Sequence, residues 1–142
     1  MEETFQVVPV GVIRKEGESA SVEIFEVFKE GLLGLDGFSH IHVLCWFHES
    51  DSEGKRAILQ VHPRGDRTNP LTGVFATRSP RRPNPVALFA SRIHAIRGNR
   101  IEIDSVDALD STPVIDIKPY IPESDSVPGA RVPGWVERIR GG

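Results

Sequence analysis

Glycine and proline, of which the chain has 13 and 11, divide it into short strand-like stretches. The clearest stretch is 40–48, in which one set of residues, Ile41, Val43, Cys45 and Phe47, alternates with a second, His40, His42, Leu44, Trp46 and His48. A period of two is typical of a strand with one buried face. Strand character also marks residues 5–13, 21–28, 57–61, 73–77, 86–96, 100–106 and 114–117. About eight short strands predict a mainly β fold, a single-domain β-barrel, closed or half-closed, or a sandwich.

Few helices and one domain are expected. Only residues 27–35 have a helical pattern, and Gly31 and Gly34 limit its length. Residues 97–99 predict a hairpin turn, and residues 51–54 predict a polar loop. The 142 residues fit one domain, 1–142, that buries roughly two thirds of its unfolded surface. Residues 122–142 contain three prolines and predict an extended arm ending in a short strand around 135–139.

The chain has features of a protein from a reducing compartment. Cys45 is the single cysteine, so an intrachain disulfide is impossible. The first residues include two acids where a secretion signal carries basic residues. The longest apolar run, 43–47, is too short to cross a bilayer. These features predict a cytoplasmic protein with no membrane association.

The charge is unevenly distributed along the chain. The net charge is −3, yet residues 55–100 contain ten Lys and Arg and one acid, Asp66. This asymmetry predicts a local contact with an anionic partner. The alternative is that these arginines are spread over an ordinary solvated surface.

The segment Thr-Arg-Ser-Pro-Arg-Arg-Pro-Asn-Pro, residues 77–85, is called the arginine loop here. Its three prolines fix φ, remove amide donors and keep the preceding residues extended. The loop is therefore expected to be stiff and to display Arg78, Arg81 and Arg82. A guanidinium held in this way suits a carboxylate or a phosphate. A rigid connector with ordinary surface arginines remains the alternative.

Residues 107–120 form a second candidate site. Asp107, Asp110 and Asp116 lie close in sequence to Lys118 and Tyr120. An acid near a lysine and a tyrosine can accept or donate a proton, so Asp110, Asp116 and Tyr120 are candidate catalytic residues. Because Asp116 and Lys118 share one face of a strand, a simple ion pair at a strand edge is the alternative.

The histidines of residues 40–48 form a third candidate site. His40 and His42 have the spacing of two zinc ligands on a strand, and His62 or His94 could supply a third. Packed histidines without a metal are the favoured interpretation, because Cys45 points to the opposite face. No metal is therefore predicted, and a metal-dependent hydrolase is kept only as an alternative.

Four segments resemble a known family: GFSHIHVLCWFH, VHPRGD, GVFATRSPRRPNPV and DALDSTPVIDIKPYIP. In this order and spacing they are similar to the TsaA-like family, whose best-understood members are the TrmO-type tRNA methyltransferases. The resemblance covers nearly the whole chain. It implies a β-barrel enzyme that uses S-adenosylmethionine and forms a homodimer. The implied reaction methylates the exocyclic amine nitrogen of threonylcarbamoyladenosine, next to the anticodon in tRNA.

The resemblance also implies roles for individual residues. Arg78 and the pair His48 and Glu49 would contact the cofactor, with Leu88 along its apolar side. Four residues of a turn would complete that site: Ser111, Thr112, Pro113 and Val114. Arg81, Arg82 and Lys118 are candidates for contact with the tRNA substrate.

The chain differs from the family pattern in three places. A Pro-Arg-Gln element that contacts the cofactor is missing after the first strand. Ser111 stands where the family has glycine, and Val86-Ala87 stands where it has Ile-Gly. The alternatives are therefore a nucleic-acid-binding module without methyl transfer and a divergent S-adenosylmethionine-binding paralogue that lacks this activity and has another substrate.

Overall fold

The computed structural model describes residues 3–141, in which six strands form a closed antiparallel barrel. Around the barrel the order is β1 (Gly11–Glu16), β2 (Ser19–Ile24), β7 (Arg100–Ile103), β6 (Val86–Arg97), β3 (His40–Trp46) and β8 (Pro113–Pro119). The remaining strands, β4 (Gln60–Val61) and β5 (Thr72–Gly73), pair in a separate two-stranded sheet. The predicted mainly β barrel is confirmed.

The barrel interior is filled by small and branched side chains. Strand β3 shows the predicted alternation, because Ile41, Val43 and Cys45 are fully buried while their neighbours are partly exposed. The other members of the core come from the remaining strands and include Ile13, Val22, Ile101, Ile103 and Val114. Burial raises the pKa of the Cys45 thiol to about 12, so this thiol stays protonated and unreactive at neutral pH.

Strand β6 pairs with two different neighbours along its length. Its first part, Val86 to Arg92, pairs with β3, and its last part, from Ile93 to Arg97, pairs with β7. The register with β7 shifts between Ile93 and Ala95, which is a bulge that bends the strand. The predicted turn after Arg97 is present, with Gly98 at a φ of 63°.

Several elements differ from the sequence-based expectations in length or in type. Residues 3–10 contain no regular structure, so the predicted strand 5–13 begins only at Gly11. The predicted strand 73–77 ends at Gly73 and continues as a 3₁₀ turn, Val74–Ala76. The predicted helix 27–35 is instead a 3₁₀ segment, Glu26–Leu32, followed by a second 3₁₀ turn. The polar loop 51–54 leads into helix α1 (Glu53–Arg56), where Ser52 Oγ caps the Lys55 amide.

The expectation of an extended C-terminal arm ending in a strand is wrong. The arm contains two helices, α2 (Pro122–Asp125) and α3 (Gly134–Gly141). Trp135, Val136 and Ile139 are partly buried and recur at helical spacing, so they form one face of α3. Within residues 3–141, no helix has both the length and the apolar character that crossing a bilayer requires.

Candidate functional site

A groove of about 240 Å³ lies at one rim of the barrel. Three predicted segments meet there: the end of β3, the arginine loop and the stretch 107–112. Strand β1 contributes Lys15. The lining consists of Lys15, Phe47, His48, Glu49, Ser50, Pro80, Asp107, Ala108, Leu109 and Thr112. The groove thus brings together residues that are up to about a hundred positions apart in sequence.

His48 and Glu49 reach the groove because β3 ends in a tight turn. The Phe47 amide donates to Pro85 O (2.8 Å), and the Ser50 amide donates to Phe47 O (2.9 Å). Residues His48–Ser50 form a 3₁₀ turn in which Ser50 is buried while His48 and Glu49 are exposed. An imidazole and a carboxylate are therefore available to a ligand at this rim.

The stretch 107–112 is attached to strand β1 by backbone hydrogen bonds. The Ser111 amide donates to Ile13 O (2.8 Å), and the Ile13 amide donates to Thr112 O (2.9 Å). The Lys15 amide donates to Asp110 Oδ1 (2.8 Å). This hydrogen bond, above all, lowers the pKa of Asp110. The ionised carboxylate therefore holds the stretch in place, a geometry that disfavours it as a proton acceptor.

Ser111 adopts a backbone conformation that is typical of glycine. Its φ is 70°, in the left-handed region that glycine enters freely and other residues rarely adopt. Its side chain accepts a hydrogen bond from Arg14 Nη1 (3.1 Å). The turn thus keeps the path of the chain that a glycine would give it.

The three arginines of the arginine loop have different environments. Arg82 Nη1 donates to Thr77 O (3.1 Å) and Ser79 O (3.0 Å), so this guanidinium supports the loop from inside. Arg78 and Arg81 are exposed, and within residues 3–141 neither side chain makes a hydrogen bond or ion pair. Two of the three arginines are thus available to an anion.

Arg56 is a supporting residue for which the sequence contains no signal. Its Nε donates to Pro83 O (2.7 Å) and its Nη2 to Asn84 Oδ1 (3.1 Å). Its Nη1 donates to Asp51 Oδ1 (3.0 Å), and the guanidinium lies 5.5 Å from the centre of the Trp46 ring. Arg56 therefore fixes the arginine loop against the end of β3.

Four other predicted site residues lie on the outer face of the barrel and do not line the groove. Leu88 pairs with Leu44 across β6 and β3 and is 46% exposed. Asp116 and Lys118 lie 3.7 Å apart as an exposed ion pair, as the alternative interpretation expected. The Tyr120 ring packs against His42, with centroids 5.2 Å apart. Pro113 and Val114 belong to strand β8, and Val114 is fully buried.

The histidines make separate contacts. His40 Nδ1 lies 2.7 Å from Ser39 Oγ, and His42 Nε2 lies 3.2 Å from Asp125 Oδ2. His62 Nδ1 lies 2.9 Å from Asn69 O, and His94 Nε2 lies 2.5 Å from Asp104 Oδ1. In the part of the chain that the structure describes, no three side chains of ligand type are grouped around a common point.

The closed antiparallel barrel with its rim groove places the chain in the class of small β-barrel proteins. Residues 3–126 match the tRNA-methyltransferase O N-terminal domain family, and the chain belongs to that family. The resemblance stated from the four motifs is thereby confirmed. The chain is thus a member of a family of S-adenosylmethionine-dependent tRNA methyltransferases.

Relatives and solved structures agree with this assignment. A probable S-adenosyl-L-methionine-binding protein of Methanocaldococcus jannaschii is 52% identical over 117 residues, 82% of this chain and 93% of that protein. The tRNA (adenine(37)-N6)-methyltransferase of Mus musculus is 41% identical over 103 residues, 72% of this chain and 23% of that protein. The crystal structure of TrmO from P. aeruginosa has a TM-score of 0.72 and 31% identity, with 94% of this chain and 62% of that chain covered. The chain thus spans most of the archaeal relative but less than two thirds of TrmO.

Proposed function

We propose that this protein transfers a methyl group from S-adenosylmethionine to tRNA, at the exocyclic amine nitrogen of threonylcarbamoyladenosine next to the anticodon. One observation carries the proposal: the rim groove joins His48 and Glu49 with Pro80 of the arginine loop and with Thr112. His48, Pro80 and Thr112 belong to three of the four motifs that carry the resemblance to the family, and Glu49 directly follows the first of these motifs. A tRNA substrate also implies a cytoplasmic location.

The charges of the groove suit the cofactor. The amino-acid end of S-adenosylmethionine carries a carboxylate and an ammonium, and its sulfonium carries a further positive charge. Lys15 lines the groove and is a cation suited to the carboxylate. Arg78 does not line the groove, but it is an exposed cation on the arginine loop, two residues before the lining residue Pro80. Glu49 and Asp107 supply negative charge for the two positive groups. Lys15 also offers a cation on β1 in a chain that lacks the Pro-Arg-Gln element.

The size of the groove supports a homodimer. Sites for drug-sized ligands usually enclose about 300–1,000 Å³, whereas the groove measures about 240 Å³. A second chain laid over the rim would enlarge it. Phe75, 80% exposed, and Leu109, 59% exposed, are apolar side chains that such a contact would cover. Sedimentation equilibrium is expected to give about twice the 15.7 kDa mass of one chain.

Methyl transfer requires an acceptor for one proton. When bound, S-adenosylmethionine supplies a methyl group on a positively charged sulfur. The target nitrogen carries a carbonyl substituent, so it is a weak nucleophile and must lose its proton as the new N–C bond forms. His48, Glu49 and Asp107 line the groove and are the candidates that we propose for taking this proton, whereas Asp110, Asp116 and Tyr120 do not line it.

The proposal predicts cofactor binding that depends on Arg78. Isothermal titration is expected to show binding of S-adenosylmethionine and of its demethylated product. Arg78→Ala should weaken binding by about tenfold or more, because a hydrogen bond to a charged group is worth about 1.5–3 kcal/mol. Arg97→Ala is the matched control, since Arg97 is an exposed arginine at the distant end of β6. If folded protein does not bind S-adenosylmethionine at millimolar concentration, the proposal is wrong.

The substrate is tested with two tRNA samples that differ only in the threonylcarbamoyl group. Methyl-labelled cofactor is expected to label the modified tRNA alone, and nucleoside analysis should find one added methyl group on the exocyclic nitrogen. Equal labelling of both samples would contradict the proposed substrate, while the methyltransferase class would stand.

A second candidate is a cofactor-binding protein that binds tRNA without transferring the methyl group. The archaeal relative favours it, because that relative is described as a probable S-adenosyl-L-methionine-binding protein and the chain spans 93% of its length. This candidate predicts cofactor binding and salt-sensitive tRNA binding without product in the labelling experiment.

A further inference from the structure

Strands β4 and β5 form a hairpin separate from the barrel. Its base is closed by the Val74 amide, which donates to Leu59 O (2.9 Å). Its tip, residues 62–69, carries Arg64 and Arg67, both exposed. From the base of the hairpin the chain runs through the turn Val74–Ala76 directly into the arginine loop. The tip thus carries a second set of exposed arginines, which a short stretch of chain connects to the arginine loop.

The hairpin tip is held together by side-chain hydrogen bonds. Asn69 is 4% exposed, and its Nδ2 donates to Pro63 O (2.9 Å). Asn69 Oδ1 accepts from Arg138 Nη2 of helix α3 (3.0 Å). Asp66 Oδ1 accepts from the Thr68 amide (2.9 Å) and the Thr68 hydroxyl (2.7 Å). A ligand at the tip would meet backbone that is already ordered, so binding would sacrifice little backbone entropy.

Arg64 has a strained backbone. Its φ is 62°, and Gly65 follows at 66°. A residue with a side chain is uncommon in this conformation, and such positions cluster at functional sites. The hydrogen bonds of Asn69 and Asp66 keep the tip in this shape. The cost of this conformation motivates the hypothesis that the Arg64 side chain has a function.

The free positive charge of residues 55–100 is concentrated near the hairpin. Arg56 and Arg82 are bound to loop carbonyls, and Arg97 and Arg100 are paired with glutamates. Five arginines of this stretch have side chains that make no hydrogen bond or ion pair within residues 3–141. One is Arg92 on β6, and the other four are Arg64, Arg67, Arg78 and Arg81. All four belong to the hairpin tip or the arginine loop.

We propose that Arg64 and Arg67 form a phosphate-binding point for the RNA backbone, separate from the rim groove. This inference rests on the proposed function, because it takes the partner to be tRNA. A guanidinium binds a phosphate with two parallel hydrogen bonds, whatever the base sequence. Four exposed arginines on two connected segments are more than a single acidic side chain can bind, which favours an extended polyanion such as RNA. The hairpin tip thus sets the position of the tRNA while the groove holds the reacting atoms.

The test measures tRNA affinity at several salt concentrations for the wild type and for Arg64→Gln/Arg67→Gln. The double variant is expected to bind about tenfold more weakly at low salt. Each arginine that no longer binds a phosphate reduces the salt slope by about 1, so the slope should fall by about 1 to 2. The matched control, Arg92→Gln/Arg97→Gln, removes the same charge from β6 and should keep the wild-type slope. Cofactor binding by titration should be unchanged in both.

Two further variants separate charge from folding. Arg64→Gly relieves the backbone strain, so it should be at least as stable as the wild type and still bind tRNA more weakly. Arg64→Lys/Arg67→Lys keeps both charges and should restore most of the salt slope.

Three outcomes would overturn the inference. The first is an unchanged slope in Arg64→Gln/Arg67→Gln, and the second is an equal loss in the β6 control. The third is an equal loss of binding to polyglutamate, which would indicate a surface for acidic proteins. Failure of the proposed function appears differently, as wild-type protein that produces no methylated tRNA.

Discussion

At the scale of single residues, Ser111 occupies a position that strongly favours glycine. Its φ of 70° puts Cβ near the carbonyl oxygen that follows. Ser111→Gly should therefore be more stable than Ser111→Ala by about 1 kcal/mol in urea unfolding. Ser126, with a φ of −98°, is the control, and there alanine should be at least as stable as glycine. The same order of stabilities at both positions would contradict the prediction.

Asp110 should make stability depend on pH in the acid range. The hydrogen bond from the Lys15 amide, above all, lowers its pKa below the usual value of about 3.9. A lowered pKa contributes stability above the usual pKa, and this contribution is lost as pH falls through the lower folded value. Asp110→Asn keeps the acceptor oxygen and loses the charge. It should be less stable than the wild type at pH 7.

Urea unfolding at pH 7, 5 and 3.5 measures this difference. The gap between Asp110→Asn and the wild type is expected to stay constant from pH 7 to 5 and to narrow below about pH 4. A gap that does not change with pH would assign the effect to packing instead of charge.

At the scale of elements, the pairing of β1 with β2 requires Gly11. A Cβ on Gly11 would lie 2.3 Å from Glu23 O, a backbone atom that cannot move aside without opening the strand pair. Gly11→Ala should therefore lower the free energy of unfolding by about 1–3 kcal/mol, the usual cost of overpacking. In Gly31→Ala the added Cβ meets nothing within 4 Å. This control should change stability by less than about 0.5 kcal/mol, and an equal effect at both positions would refute the steric explanation.

Sequence patterns predicted those elements whose environment is periodic. Strand β3 was recognisable because one face lies in the barrel, so Ile41, Val43 and Cys45 alternate with partly exposed residues. Helix α3 was predicted as a strand because its short apolar set, Trp135, Val136 and Ile139, fits either period in so brief a segment. Strands β4 and β5 have only two residues each. Their bounds depend on which residues pair with each other, and local sequence does not determine that pairing.

At the scale of the whole molecule, the motifs predicted which segments meet but not which side chains. The stretch 107–112 reaches the rim groove, as expected, because Asp110 and Ser111 bind strand β1. Lys15 was missed, since nothing in the sequence near it resembles a ligand motif and only barrel closure brings it to the groove. Arg82 was expected at the substrate, but the folded loop uses its guanidinium internally. Contacts such as those of Lys15 and Arg82 can be recognised only in the folded barrel.

The barrel is joined most narrowly between β1 and β8, where only Gly11 with Val114 and Val12 with Pro113 are paired. The hydrogen bonds of Ile13 with Ser111 and Thr112 continue this seam into the groove wall. Local opening follows the parts of a fold with the fewest contacts. If β1 and β8 separated, the wall of the groove would move with them. A ligand that bridges the groove would therefore stabilise the closed barrel. Ligand binding in the groove and closure of the barrel would then be thermodynamically linked.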